Sequence, residues 1–249
     1  MKHRIVIAII GLVIIAAVLL LWSAKSGDLP NSSSRKANAT SASQSQQSSS
    51  STAAFDHTRY SVTDPNSIWV VVNKHHPLKP VNYAPQDLTS VGNGQVMRAE
   101  AATALISMFA GAKTAGLTIT AASAYRSYTT QVSVYNQEVA NYGKAKADSE
   151  SARPGFSEHQ TGLAVDIAGG GCSITDCFGT TAEGKWATAH AYEYGFILRY
   201  TADKTPITGY RAEAWHFRYV GKDLALQMHK TGATTLEEFF TIDAAPDYY

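Results

Sequence analysis

Two short runs of this sequence offer two imidazoles, a carboxylate that could join them on a metal, and a second carboxylate close by. The first run is Ser157-Glu158-His159-Gln160-Thr161-Gly162-Leu163-Ala164-Val165-Asp166, and the second is Glu213-Ala214-Trp215-His216. A zinc hydrolase needs three protein ligands, an open position for water, and a general base that does not bind the metal. His159, Asp166 and His216 can supply the ligands and Glu213 the base, provided that the fold brings the two runs together.

Local structure decides whether it can. Residues 161–168 read as a strand, on which successive side chains face opposite ways. Ala164 and Asp166 then share one face, and Leu163, Val165 and Ile167 share the other. The larger apolar face belongs in the core, which presents Asp166 on the accessible side. His159 precedes the strand, where a loop can return it toward Asp166. In the second run, positions three apart on a regular strand face opposite ways. Glu213 must therefore sit at a strand start, bulge or turn to serve the same metal as His216. Thr208-Gly209-Tyr210-Arg211 reads as a turn leading in. Taken singly, each residue also has a plain structural reading, and His3, His57, His75, His76, His190 and His229 are read as surface or structural groups. The joint pattern is what points to a site.

The remaining elements must hold these residues. Ser67-Ile-Trp-Val-Val-Val-Asn73 is rich in β-branched residues and predicts a short buried strand. Residues 74–87 carry Pro77, Pro80 and Pro85 and read as irregular. Ala101, Leu105, Met108, Phe109 and Ala112 recur at helical spacing, so residues 100–116 form a helix. A strand over 117–125, a helix over 127–142 stopped by Gly143, and a polar loop over 144–156 follow. Further on come a helix over 183–194 ended by Gly195, strands over 196–200 and 214–219, and a helix over 221–231 before Gly232. Helices and strands mix without regular βαβ alternation, which predicts an α+β fold: a small antiparallel sheet with helices packed around it.

The 249 residues suffice for one domain with accessories, and 21 basic against 20 acidic side chains give no basic excess that would suggest a nucleic-acid partner. Residues 5–22 are an unbroken apolar run behind Lys2, His3 and Arg4. A membrane-spanning helix takes roughly 17–25 residues, and flanking positive charge favours the cytoplasmic side. The expected organisation is a cytoplasmic stub (1–4), a single-pass signal anchor (5–22), a Ser/Gln-rich flexible linker (23–54) and an extracellular domain (55–249). A cleaved signal peptide is the alternative, and it too places the domain outside the cell. Cys172 and Cys177, the only cysteines, fit that oxidising compartment as a small structural disulfide.

The pattern Ser-x-His-x-x-Gly-x-Ala-x-Asp followed by Glu-x-Trp-His resembles the VanY-type D-alanyl-D-alanine carboxypeptidases, zinc peptidases of the lysostaphin-type/D-Ala-D-Ala metallopeptidase/Hedgehog-like (LAS) group. Ser123-Ala-Tyr-Arg126-Ser127 with Gln131 is similar to a further block of that family, with Ala124 where Gly is usual. Tyr194-Gly-Phe-Ile-Leu-Arg-Tyr200, Ile207-Thr-Gly-Tyr210 and His216-Phe-Arg-Tyr-Val-Gly221 also look like family segments. The resemblance runs from about Trp69 to Phe240. It implies a zinc site in a cleft on the sheet, with His159, Asp166 and His216 as ligands and Glu213 as general base. It implies that Arg126 stabilises the oxyanion or grips a terminal carboxylate, and that Ser157 and Gln131 help to hold that carboxylate. Tyr125 and Trp215 flank these positions as candidate substrate contacts, Trp215 also reading as packing beside the site.

The implied activity is removal of the C-terminal D-Ala from peptidoglycan stem peptides, with an L,D-carboxypeptidase or an endopeptidase of the same fold as alternatives. The implied partners are stem peptides or their precursors and, through residues 5–22, the membrane; no nucleic acid and no second subunit is expected. A serine hydrolase would need a Ser-x-x-Lys nucleophile, and the one match, Ser33-Ser-Arg-Lys36, lies in the linker. A non-catalytic wall-binding module would have lost a ligand or the base, and all four positions are intact.

Overall fold

Val165 and Ile167 alternate with Ala164 and Asp166 along an extended segment. In the computed structural model, which describes residues 54–249, this segment is strand β4, Ala164–Gly169. The predicted stub, anchor and nearly all of the linker lie outside the described residues. Among the described residues, no helix is long and apolar enough to cross a membrane.

β4 is an inner strand of a four-stranded antiparallel sheet. Its neighbours are β3 (Ile119–Ser123) and β6 (His216–Tyr219), and β5 (Phe196–Leu198) completes the order β3-β4-β6-β5. The β4–β6 register sets Asp166 opposite His216, Val165 opposite Phe217 and Ala164 opposite Arg218. One face of this pair is therefore apolar and belongs to the core, where Val165, Ile167 and Phe217 are fully buried. The other carries Asp166, His216 and Arg218, and the small Ala164 leaves room beside the long arginine. On the far side of β4, the β3 register slips between Ala121 and Ser123, so Ser123 also stands against Asp166.

A two-stranded hairpin that the sequence reading did not assign, β1 (Leu88–Gly92) and β2 (Gln95–Arg98), precedes helix α1 (Ala99–Thr114). Its turn uses Gly92, Asn93 and Gly94 at positive φ, the residue types such turns favour. α1 buries Ala101, Ala102, Leu105, Met108 and Ala112, the stripe its periodicity predicts. Helix α2 (Tyr128–Tyr142) starts at Ser127, whose hydroxyl accepts from the Thr130 N–H. The predicted loop after it is instead partly helical. Gly143, at φ 81°, ends α2 and begins α3 (Lys144–Glu150), which buries Ala147 and carries a Lys146–Glu150 pair at 2.8 Å. Pro154 stands beyond its end and does not disturb it.

The remaining helices are α4 (Ala182–His190), α5 (Thr205–Thr208), α6 (Lys222–Thr231) and α7 (Leu236–Phe240). Residues 191–194 continue α4 as a 3-10 turn ended by Gly195 at φ 89°. Cys172 and Cys177 are joined in a disulfide that closes the loop after β4.

The strand predicted over 67–73 does not form. Ile68, Trp69, Val70, Val71 and Val72 are buried as expected, but among the described residues no strand pairs with them. Arg218 Nη2 donates to the carbonyls of Ile68 and Val70 at 3.1 and 2.8 Å, and the Val71 N–H reaches Val62 O at 2.9 Å. A guanidinium thus satisfies backbone groups that a ladder would otherwise have to satisfy. The architecture is α+β, with helices around a small antiparallel sheet.

Candidate active site

His159 stands in a 3-10 turn, Glu158–Thr161, between Ser157 and Gly162. Gly162 adopts φ 69°, and a Cβ there would lie 3.1 Å from Arg98 Cγ and 3.3 Å from Arg98 N. Glycine thus allows the turn to stop and the chain to pass under β2 into β4, with the Arg98 N–H donating to Gly162 O. The imidazole of His159 is oriented from behind, because Nδ1 lies 2.7 Å from Ala124 O. A carbonyl only accepts, so Nδ1 carries the proton and Nε2 is left with its lone pair. That nitrogen is 3.3 Å from Asp166 Oδ2. Ala124 contributes through its backbone, and its N–H donates to Gln95 Oε1 at 2.9 Å, so a methyl in place of hydrogen leaves these contacts unchanged.

Asp166 and His216 meet as cross-strand neighbours, with Oδ1 3.0 Å from Nδ1. The rings of His159 and His216 stand nearly perpendicular at a centroid distance of 5.0 Å. One donor atom from each of the three side chains falls within 4.8 Å of the others. Glu213 reaches the same point by the irregular backbone that its spacing demanded. The His216 N–H donates to Glu213 O at 3.1 Å in a turn just before β6, and the Glu213 N–H is held by Tyr200 O at 3.0 Å. Glu213 Oε2 ends 3.7 Å from His216 Nδ1.

Burial and charge shape the acid–base properties. Burial disfavours the charge on Asp166, but His159 and His216 outweigh it and hold the carboxyl well below the usual carboxylate range. Burial also opposes the His216 cation, yet its bonds to Asp166 and Glu158 push it up to about 10. Burial lowers His159, against Asp166. Glu213 is raised to about 7, chiefly by burial and further by Asp166, while His216, Arg211 and Arg126 pull the other way. Two imidazoles and one carboxylate, with an open side toward the cleft, form a donor set that fits Zn2+.

These groups line a cleft of about 240 Å3. Arg126, Ser157 and Trp215 line it too. Trp215 is buried, with the Arg211 guanidinium 5.1 Å from its ring centre, so it forms wall rather than projecting platform. Two expected substrate contacts lie elsewhere. Gln131 is fully buried behind Arg126 and does not border the cleft. Its Oε1 accepts from Arg126 Nη1 at 3.1 Å, and its Nε2 donates to Ala152 O at 2.7 Å. Its amide is thereby committed to the protein, and it braces the guanidinium together with Ser123 Oγ, 3.0 Å from Nη2. Tyr125 does not border the cleft either; its backbone N–H donates to Val96 O in β2 at 2.9 Å.

The sequence reading passed over a buried ionic cluster beneath the site. Glu158, Arg199, Arg218 and Glu237 are each at most 2% exposed. Arginines within the apolar segments 196–200 and 216–220 were the available signal, since charged residues are almost never fully buried unless paired. Ile174, inside the disulfide-closed loop, was likewise missed and lines the cleft.

The chain is similar to known proteins in sequence and in fold. The profile of the VanY family, described as D-alanyl-D-alanine carboxypeptidase, matches residues 94–222. The chain is 43% identical over 190 residues to YodJ of Bacillus subtilis (strain 168), covering 72% of this chain and 69% of that one. It is 35% identical over 183 residues to a D-alanyl-D-alanine carboxypeptidase of Enterococcus faecalis, covering 70% and 66%. Among solved structures, the LdcB LD-carboxypeptidase is similar at TM-score 0.66 and 43% identity, covering 72% of this chain and 88% of that one. A vancomycin-resistance D,D-pentapeptidase VanY mutant, solved in complex with Zn(II), is similar at TM-score 0.61 and 34% identity, covering 70% and 98%.

Proposed function

The chain belongs to the VanY family of D-alanyl-D-alanine carboxypeptidases, and from that membership we propose that it is a zinc-dependent carboxypeptidase removing the terminal D-Ala from peptidoglycan stem peptides. One observation carries the reading: His159, Asp166 and His216 converge within 4.8 Å, with Glu213 beside them in a cleft that Arg126 also lines. His159 Nε2, an Asp166 oxygen and His216 Nδ1 would hold the metal. Zn2+ supplies Lewis-acid polarisation of the scissile carbonyl and a lowered pKa for water.

Glu213 takes the proton of the attacking water and delivers it to the departing amine. Arg126, fixed by Gln131 and Ser123, presents a guanidinium that can offset oxyanion charge or grip the free carboxylate as a bidentate donor. Ser157 lies on the same wall. A tethered domain outside the membrane suits a polymeric wall substrate, and the Cys172–Cys177 disulfide supports an oxidising compartment.

A second reading, L,D-carboxypeptidase, is favoured by the 43% identity to LdcB against 34% to the VanY structure. Mass spectrometry of defined muropeptides separates the two. A D,D-enzyme shortens pentapeptide stems to tetrapeptides and leaves tetrapeptides intact, and an L,D-enzyme shortens tetrapeptides to tripeptides. Cleavage of neither, or cleavage that survives a strong zinc chelator, would remove the proposal.

The Glu213 environment also sets a pH dependence. The base must be ionised, and its carboxyl sits at about 7. Its protonated fraction therefore grows as pH falls through that value. Cationic charge in the site can only move the limb lower. On the acid side of a limb at or below about pH 7, kcat/KM is expected to drop about tenfold per pH unit. A kcat/KM that rose on acidification from about pH 7 to about 5 would contradict this assignment.

A further inference from the structure

The two nitrogens of His216 face different carboxylates. Nδ1 is 3.0 Å from Asp166 Oδ1, among the other candidate ligands, and Nε2 is 3.4 Å from Glu158 Oε2, on the side of the buried arginines. Only one nitrogen of a neutral imidazole carries the proton, and the other holds the lone pair that can bind a metal. Asp166 alone would draw the proton to Nδ1, where it would block coordination beside Asp166. A second acceptor at Nε2 is needed to draw it the other way.

Glu158 is built to be that acceptor. It is 2% exposed, and its oxygens are divided between two tasks. Oε1 accepts from Arg199 Nε and from Arg218 Nη1, each at 2.9 Å. Oε2 is thereby turned to His216, and among the described residues Nε2 has no other hydrogen-bond partner. The two arginines are held in their turn. Arg199 makes a two-pronged pair with Glu237, Nη1 to Oε2 at 2.9 Å and Nη2 to Oε1 at 2.8 Å. Arg218 donates Nε to Tyr219 O at 3.0 Å and Nη2 to the carbonyls of Ile68 and Val70. Buried ion pairs of this kind are weak contributors to stability, because desolvation offsets their attraction. Their service here is orientation.

We propose that Glu158, aimed by Arg199 and Arg218, is a positioning residue that keeps the His216 proton on Nε2 and so makes Nδ1 the metal donor. The inference rests on the metal site proposed above and adds to it the group that selects the tautomer. It also gives Arg199 and Glu237, remote from the cleft, a part in metal affinity through Glu158.

The test uses the full chain and zinc alone. Long-range 1H–15N correlation of histidine side chains in the zinc-loaded wild type should show His216 protonated at Nε2 and coordinated through Nδ1. Coordination through Nε2 would overturn the proposal while leaving the metal site standing, whereas a wild type that binds no zinc would overturn both. In chelator competition, Glu158→Gln should weaken zinc binding about 10–100-fold, the range typical for partners that orient a metal-bound histidine. Glu237→Gln removes a charge from the same cluster without touching His216, and should lower the melting temperature while shifting the zinc Kd only a few-fold. Equal zinc affinity in Glu158→Gln and wild type would assign Glu158 a structural part only. Should Glu158→Gln fail to fold, the wild-type spectrum decides alone.

Discussion

Asp166→Ala is expected to lose zinc and hydrolysis together. Asp166 is the hinge of the triad, with Oδ2 3.3 Å from His159 Nε2 and Oδ1 3.0 Å from His216 Nδ1. Alanine leaves two neutral donors where a site of this class uses three. The weakening of zinc binding should exceed the roughly 10–100-fold seen when only an orienting partner is removed, and turnover should fall to that of chelator-treated wild type. The fold is expected to survive. The side chain is buried but on the site face of β4, and Val165 and Ile167 keep the core face filled. His216 keeps Glu158 Oε2 as a partner at 3.4 Å when Asp166 is removed. Zinc stoichiometry and a melting curve on the same preparation check the claim, and a folded variant at full zinc occupancy would refute it. Asp166→Asn keeps the shape and should still bind far less zinc than wild type, because the anionic oxygen, not the volume, is what the imidazoles share.

Within each run the arrangement of the candidate site could be read from the sequence because its residues are close in the chain, whereas the meeting of the two runs, fifty residues apart, was implied only by the family resemblance. His159 lies just before β4 and Asp166 within it, so a strand and a turn suffice to relate them. The demand that Glu213 sit off the regular strand came from period-two alternation alone, and the turn before β6 meets it. What escaped was whatever depended on distant partners. Glu158 stands inside the first run, yet its part is defined by Arg199, Arg218 and His216, brought to it by the order β3-β4-β6-β5. Residues 67–73 have the composition of a strand and the burial of one. Arg218 takes two of their carbonyls where a strand partner would stand, and no local propensity reports a side chain from so far along the chain. Gln131 shows the converse. Its proximity to Arg126 was visible, but only the packing shows an amide turned to brace the guanidinium rather than a substrate.

Glu213→Gln is the other large effect, and it should separate from the first by sparing the metal. Glu213 is not among the three converging donors. Its Oε2 approaches His216 Nδ1 only at 3.7 Å. Glutamine matches it in size and in its place at the turn, where the backbone N–H to Tyr200 O is unaffected. What it lacks is a group that can hold a proton and release it. General-base catalysis by a positioned side chain contributes about 10²–10⁴-fold, so kcat should fall by that order while zinc content stays at wild-type stoichiometry and KM changes little. The acid limb assigned to Glu213 should vanish from whatever activity remains, since the group responsible for it is gone. Burial raises the Glu213 carboxyl, and an exposed carboxylate would be a weaker base. If Glu213→Gln kept activity within tenfold of wild type, with the acid limb in place, the proton would have to be taken by another group lining the cleft. Loss of zinc in Glu213→Gln would instead make Glu213 a fourth ligand and leave the cleft without a base.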